Sequence, residues 1–267
     1  MTRTTRIVSV LLLAVLPATA FAKELPRGPQ YFHPPSQSAL PHGKFGALVR
    51  QGRRIFMDTP RYAARYAGDG LSCQSCHLDA GRMPNAMPLW GAAGEYPKYQ
   101  ARTQQVVTLG ERMQQCFIAS LHGYAPPRDS ETLLALEAYA SWLSTGAPQR
   151  TVLRGAGLPQ MPRTGHAPDP IAGRRTYEDH CATCHGDGGG IRNPKGGYAV
   201  PPLWGADAFP HGVGLGRQSI LSRFILANMP QDQPGTLTPQ QAKNVAAWIR
   251  IQWREPNPRK GLLGWLP

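Results

Sequence analysis

Apolar residues return at helical spacing in two stretches, one near the end of each half of the chain. Between Thr238 and Gln252, Val245, Trp248 and Ile249 recur at i, i+3 and i+4, which predicts an amphipathic helix. Thr238 followed by Pro239 is a suitable start, with the hydroxyl as N-cap and proline in the first helical position. Between Ser130 and Ser144, Leu133, Leu136, Tyr139 and Trp142 step along one side and predict a second such helix. A third apolar run, Ile7 to Leu16, has a different character. It follows Arg3 and Arg6, precedes the small-x-small triplet Ala20-Phe21-Ala22, and is too short to cross a bilayer. It predicts a cleaved secretory leader over 1–22 and a mature chain that begins near Lys23, periplasmic and without an integral membrane anchor. The two arginines are not adjacent, which favours the general export route over twin-arginine export.

The two amphipathic helices end two copies of one plan. In the second half, Gly173-Arg174-Arg175-Thr176-Tyr177 opens a helix that runs into Cys181-Ala182-Thr183-Cys184-His185. Pro202-Leu203-Trp204-Gly205 and then Phe224 to Pro230 follow. The first half has Gly52-Arg53-Arg54-Ile55-Phe56, Cys73-Gln74-Ser75-Cys76-His77, Pro88-Leu89-Trp90-Gly91 and then Cys116 where the second copy has Met229. The largest excess in the first copy is Pro60 to Gly70. Between the copies, Thr145 to Pro170 is rich in Pro, Gly and Arg and reads as an extended linker. The proline-rich segment before Lys44 has no evident core of its own.

Both Cys-x-x-Cys-His motifs are c-type haem attachment sequences. The thiols of each form thioethers to one haem, and the histidine is the proximal iron ligand. Cys73, Cys76 and His77, and Cys181, Cys184 and His185, therefore predict two covalent haem c groups. Two motifs in an exported chain, each with the same downstream parts, argue against a zinc site. The remaining histidines, among them His33, His42, His166 and His211, lie in loop-like sequence. This order of parts resembles small all-helical cytochrome c domains. It predicts an all-α fold of two tandem cytochrome c-like domains, 46–150 and 171–267, joined by a linker over 151–170 and preceded by a proline-rich segment over 23–45.

Met229, 44 residues after His185 and just before Pro230, is the candidate distal ligand of the second haem; a core methionine is the alternative. Cys116, 39 residues after His77, stands at a similar interval in the first copy. Its neighbourhood predicts a helix that ends at Gly123, with Arg112, Cys116 and Ser120 on one face. A guanidinium one turn from a thiol favours the thiolate, the form that binds metal or attacks. Met113 and His122 compete as ligands, and a buried free cysteine is the other reading.

Charge narrows the partners. The formal net charge is +13, and +11 without Arg3 and Arg6. Such a surface steers small anions and acidic proteins toward the chain; nucleic acid does not suit an exported haem protein. Of the five cysteines, haem attachment claims four, so no disulfide framework is expected.

The stretch Gly70 to Gly81, the segment Tyr96-Pro97-Lys98-Tyr99-Gln100-Ala101-Arg102 and the run Glu111 to Gly123 resemble periplasmic dihaem thiosulfate dehydrogenases. They are more distantly similar to a subunit of the thiosulfate-oxidising multienzyme system, from which Met229 separates this chain. The resemblance implies His77/Cys116 ligation at a catalytic first haem and His185/Met229 ligation at an electron-transfer second haem. It places Arg112 and Ser120 in the substrate pocket. Ala119 and His122 depart from the family pattern, where an arginine and an asparagine are expected. The implied reaction couples two thiosulfates to tetrathionate and passes two electrons to a soluble acceptor, such as a c-type cytochrome or a high-potential iron–sulfur protein. Arg82 and Arg102 are weaker candidates for neutralising the substrate. The competing functions are a non-enzymatic dihaem carrier, a dihaem peroxidase and a tetrathionate reductase.

Overall fold

The structure, a computed structural model, describes residues 31–68, 70–101, 104–148, 151–194 and 197–254. The leader over 1–22, the start of the proline-rich segment, Arg102 and the tail after Arg254 lie outside the described residues. From Tyr31 onward the chain is one compact unit, built as two helical lobes.

The first lobe contains α1 (Gly43–Met57), α2 (Thr59–Tyr62), α3 (Leu78–Gly81), α4 (Ala92–Glu95), α5 (Leu109–Ala119) and α6 (Glu131–Leu143). A small antiparallel ribbon, β1 (Lys98–Gln100) with β2 (Gln105–Val107), precedes α5. The second lobe contains α7 (Pro170–His180), α8 (Ala182–His185), the ribbon β3 (Ile191–Arg192) with β4 (Tyr198–Val200), α9 (Gln218–Asn228) and α10 (Pro239–Ile251). Among the described residues no helix is long and apolar enough to cross a membrane.

The duplicated plan becomes a duplicated crossing of helices. In the first lobe α1 packs on α6, and in the second α7 packs on α10. Each crossing is close enough to require glycine. A Cβ on Gly52 would lie 1.9 Å from the Ala135 carbonyl oxygen, and one on Gly173 2.0 Å from that of Asn244. Ser130 caps α6 by accepting from the Leu133 amide, and Thr238 forms a reciprocal capping box with Gln241 at α10. Val49, Ile55, Phe56, Leu136 and Tyr139 fill the first core, and Tyr177, Phe224, Ile225, Val245 and Ile249 the second. The two cores merge into one apolar cluster.

One local feature differs from the sequence expectation, and two others add to it. Helix α5 ends at Ala119, with Ser120 as its cap, rather than at Gly123. His122 takes the left-handed turn, with φ of 50°. Gly123 serves close approach instead: its Cβ would lie 1.7 Å from the Tyr66 carbonyl oxygen. The connector over 151–169 carries no helix, yet it is pinned to both lobes rather than free. Asn85 N–H donates to the Gly155 carbonyl (2.8 Å), and Arg223 Nε donates to the Pro159 carbonyl (2.6 Å). The segment after Tyr31 also borrows the first core, where Phe32 meets Trp90 with ring centroids 5.6 Å apart.

Candidate functional site

The first Cys-x-x-Cys-His motif is anchored from below by Thr59, which is fully buried. Its Oγ1 accepts from the Cys73 amide (3.2 Å) and donates to the Ile55 carbonyl (2.8 Å), while its own amide donates to Ser72 Oγ (3.1 Å). The motif then turns as a 3-10 segment, Cys73–Ser75, which brings His77 to the start of α3. The second motif follows directly from α7. The Cys181 amide donates to the Tyr177 carbonyl (2.8 Å), and α8 carries Cys184 and His185.

Each motif opens onto its own cavity. One, of about 300 Å³, is lined by Cys73, Cys76 and His77 on one side and by Arg112, Cys116 and Ser120 of the α5 segment on the other. The other, of about 950 Å³, is lined by Cys181, Cys184, His185 and Met229. The structure thus gathers all ten predicted site residues into two places. Leu71, Ser72, Cys76, Phe209 and Leu215 line both cavities, so the two pockets share a wall.

The chemistry of the walls suits c-type haem. Burial pushes the Cys73 thiol up to about 12 and the Cys181 thiol to about 11. Both thiols are therefore neutral in the cleft. Burial also holds His77 and His185 below the usual histidine range, which leaves both imidazoles neutral, the metal-binding form. The Nδ1 of His77 faces the Met87 carbonyl oxygen. A carbonyl only accepts, so Nδ1 carries the proton and Nε2 keeps the lone pair for a metal. Among the described residues no three His, Cys, Asp or Glu side chains converge as a metal cage.

Cys116 sits in a different electrostatic setting from the motif thiols. Arg112 lies one turn before it on α5. The nearby Cys116 sulfur, and after it Tyr96, which is hydrogen-bonded to the Arg112 side chain, hold the guanidinium above its ordinary range against the opposing effect of burial. The pocket therefore keeps a cation beside the sulfur. Burial keeps the Tyr96 phenol protonated, opposed by Arg112.

Other candidates separate in space. Met113 lines the same cavity as Cys116, whereas His122 does not. Arg82 lies outside the cavity wall and donates to the Pro34 carbonyl (3.3 Å), so it ties down the segment before α1. Tyr96 is the pocket residue that spacing misses, because it stands in a loop before Pro97 with no periodic signal. Phe209 and Leu215 are missed for another reason: they reach the first cavity from the second half of the chain.

Comparison with known proteins agrees with this architecture. Residues 61–149 match the SoxA/TsdA cytochrome c domain, and residues 168–249 match the model described as cytochrome c oxidase, cbb3-type, subunit III. The thiosulfate dehydrogenase of Stutzerimonas stutzeri (strain A1501) is 43% identical over 232 residues, which cover 87% of this chain and 76% of that protein. That of Thiomonas intermedia (strain K12) is 41% identical over 260 residues, covering 93% and 83%. The solved thiosulfate dehydrogenase TsdBA of Marichromatium purpuratum, in its as-isolated form, superposes with a TM-score of 0.81 at 39% identity. That match covers 86% of this chain and 51% of that protein, so the chain spans about half the solved protein's length. The fold is a two-domain all-α cytochrome c fold with covalently bound haem c, and the chain belongs to the thiosulfate dehydrogenase family.

Proposed function

We propose that this chain is an exported, periplasmic enzyme that oxidises thiosulfate and joins two molecules into tetrathionate. The observation that carries this reading is the face of α5, where Arg112, Cys116 and Ser120 look into the cavity that also holds Cys73, Cys76 and His77. Cys73 and Cys76 attach the first haem, with His77 and Cys116 as its iron ligands. Cys181 and Cys184 attach the second, with His185 and Met229 as ligands. When bound, each haem supplies a one-electron acceptor, so the pair takes the two electrons of the reaction.

The residues then have distinct tasks. Arg112 neutralises an incoming dianion, and Ser120 donates a hydrogen bond to a sulfonate oxygen. The Cys116 thiolate bonds the outer sulfur of one thiosulfate, giving Cys116–S–S–SO₃⁻ with loss of two electrons. A second thiosulfate attacks the outer of these two bridging sulfurs. The disulfide bond to Cys116 breaks, its thiolate is regenerated and tetrathionate leaves. Thiolate ligation lowers an iron's potential and thioether ligation raises it, so Cys116 and Met229 set a downhill order from the first cavity to the second. Leu71, Cys76 and Phe209 line both cavities, and groups held in the two would be separated by that one wall. A soluble cytochrome or a high-potential iron–sulfur protein then accepts the electrons.

The test is anaerobic mixing of the oxidised holoprotein with thiosulfate alone. Wild type is expected to show reduced haem absorption, and Cys116→Gly to show none within the wild-type mixing time. No reduction of wild type would leave a passive electron carrier.

A further inference from the structure

His77 is oriented by a loop that its own lobe holds only in part, through the Ala86 amide on the Met83 carbonyl (3.3 Å) and the Leu89 amide on the Gly81 carbonyl (2.8 Å). Asn85 and Met87 flank Ala86 with φ of 63° and 52°, the left-handed region that non-glycine residues rarely adopt. A loop in that conformation needs outside restraint, and Met87 is the residue whose carbonyl receives the His77 ring proton.

The remaining restraint, on the two left-handed residues themselves, comes from the connector and from α9. The Asn85 and Met87 amides donate to the Gly155 and Gly157 carbonyls at 2.8 and 3.4 Å. Asn228 Nδ2 donates to the Asn85 carbonyl (3.0 Å) and also to Phe224 in its own helix (3.0 Å). The connector is held in turn by Arg223, whose Nε donates to the Pro159 carbonyl at 2.6 Å and whose Nη2 donates to the Leu158 carbonyl. Arg223 and Asn228 are both residues of α9, and Asn228, only 2% exposed, immediately precedes Met229.

We propose that Asn228 and Arg223 are positioning residues through which α9 sets the hydrogen bond on His77, so that the helix presenting Met229 to the second cavity also tunes the first haem. The proposal rests on His77 being the proximal ligand of that haem. The physical route is short. A ligating imidazole that donates firmly from Nδ1 is a stronger electron donor to its metal, and loss of such a partner costs 10–100-fold in activity or affinity. If α9 or the connector loosens, the strained loop relaxes and the Met87 carbonyl moves off Nδ1. The first iron then becomes a weaker donor of electrons to the second, and its potential moves to more positive values. Substrate contacts on α5 are untouched, so turnover falls while KM holds.

The experiment compares Asn228→Leu, Arg223→Gln and Arg223→Lys as holoproteins, by redox titration of each haem, low-temperature EPR and steady-state kinetics. Asn228→Leu removes both amide donors while keeping the branched shape of the side chain and is expected to shift the first haem's potential positive and change its EPR g values. Its kcat is expected to fall about tenfold, with the KM for thiosulfate within twofold. Because Asn228 adjoins Met229, the second haem shifts as well in this variant. Arg223→Gln isolates the connector. It is expected to move the first haem alone, with Arg223→Lys recovering part of the shift because it keeps one donor. Arg223→Gln also decides the matter if Asn228→Leu fails to accumulate. A first-haem potential and EPR spectrum unmoved in Arg223→Gln, at normal haem content, would overturn the proposal. A wild-type spectrum with no histidine-ligated first haem would instead overturn the ligand reading beneath it.

Discussion

Cys116 and Met229 occupy equivalent places in the two copies but reach their cavities from different kinds of backbone. Cys116 is in the interior of α5, whereas Met229 is one residue past α9, in extended conformation with φ of −122° and ψ of 144°, and is followed by Pro230. A side chain inside a helix brings a face with it: residues at i−4 and i+4 point the same way. Arg112 and Ser120 are therefore delivered to the Cys116 cavity by the same segment. A side chain just beyond a helix end brings no such face. The walls reflect this. The first cavity has Arg112 and Tyr96 beside the sulfur, with Glu95 also on its wall, while the second is lined by Asp58, Asp79 and Asp232 and, among the described residues, by no Lys or Arg. On the proposed reading, Arg112 makes the first cavity the one that receives an anion. On the proposed reading, the contrast teaches that a duplicated electron-carrying plan needs little change to become catalytic in one copy: a sulfur moved into a helix, with a cation one turn away.

The strongest way to break the comparison is to give the first lobe the second lobe's sulfur. Cys116→Met keeps a sulfur near the first iron but removes the thiolate. We expect turnover to fall about a thousandfold or more, as for loss of a covalent nucleophile, with the second haem's spectrum unchanged. Turnover within tenfold of wild type would make the thiolate dispensable and reduce the difference between the lobes to one of potential.

A smaller effect is expected from removing the cation while keeping the sulfur. Hydrogen bonds to charged groups contribute about 1.5–3 kcal/mol, so Arg112→Gln should lower kcat/KM for thiosulfate by roughly 10- to 150-fold. Arg112→Lys should fall between, because it keeps the charge and loses the planar fork. The discriminating measurement is the ionic-strength dependence of kcat/KM, which should flatten in Arg112→Gln and persist in Arg112→Lys. Equal behaviour of the two variants would mean that geometry rather than charge at residue 112 matters.

Much of this contrast was legible in the sequence because its parts are local. The Cys-x-x-Cys-His motifs are contiguous, the amphipathic helices repeat at helical period, and Arg112 and Cys116 are four residues apart on one helix. The cap at Thr238 is equally local, and the structure places it where the residue pattern predicts it. What escaped the sequence is contact between distant segments. Asn228 reaching Asn85, Arg223 holding the connector, and Phe209 walling the first cavity join residues with no shared periodicity. The turn after α5 escaped for a different reason. Glycine is the usual left-handed residue, but Gly123 is committed to close packing on Tyr66, and the turn falls to His122. Arg82 looked like a pocket cation by composition and proximity to the motif. Its side chain instead follows the backbone carbonyl of Pro34, which only the tertiary path of the N-terminal segment supplies.

The gentlest perturbation tests whether the Cys116 helix is held as firmly as its task requires. Thr108 caps α5: its Oγ1 accepts from the Glu111 amide (3.2 Å), and Glu111 Oε2 accepts from the Thr108 amide (2.8 Å) and hydroxyl (2.9 Å). Thr108→Ala removes the hydroxyl and should cost about 1 kcal/mol, seen as a fall of roughly 2–4 °C in Tm for a chain of this size. Acid gives the second arm. Hydrogen bonds from Thr108, backbone first, and the nearby Arg128 hold the Glu111 carboxyl below its ordinary range. A carboxyl depressed in the folded state contributes stability above its unfolded value, about 4.3, and loses it as pH falls through the lower folded value. Part of that contribution is already absent in Thr108→Ala, so the gap in Tm between the variant and wild type should be full at neutral pH and narrow below about pH 4. A gap that stayed constant down to the acid limit would mean that the cap works through the threonine hydroxyl alone and that Glu111 adds nothing to the start of the helix that carries Cys116.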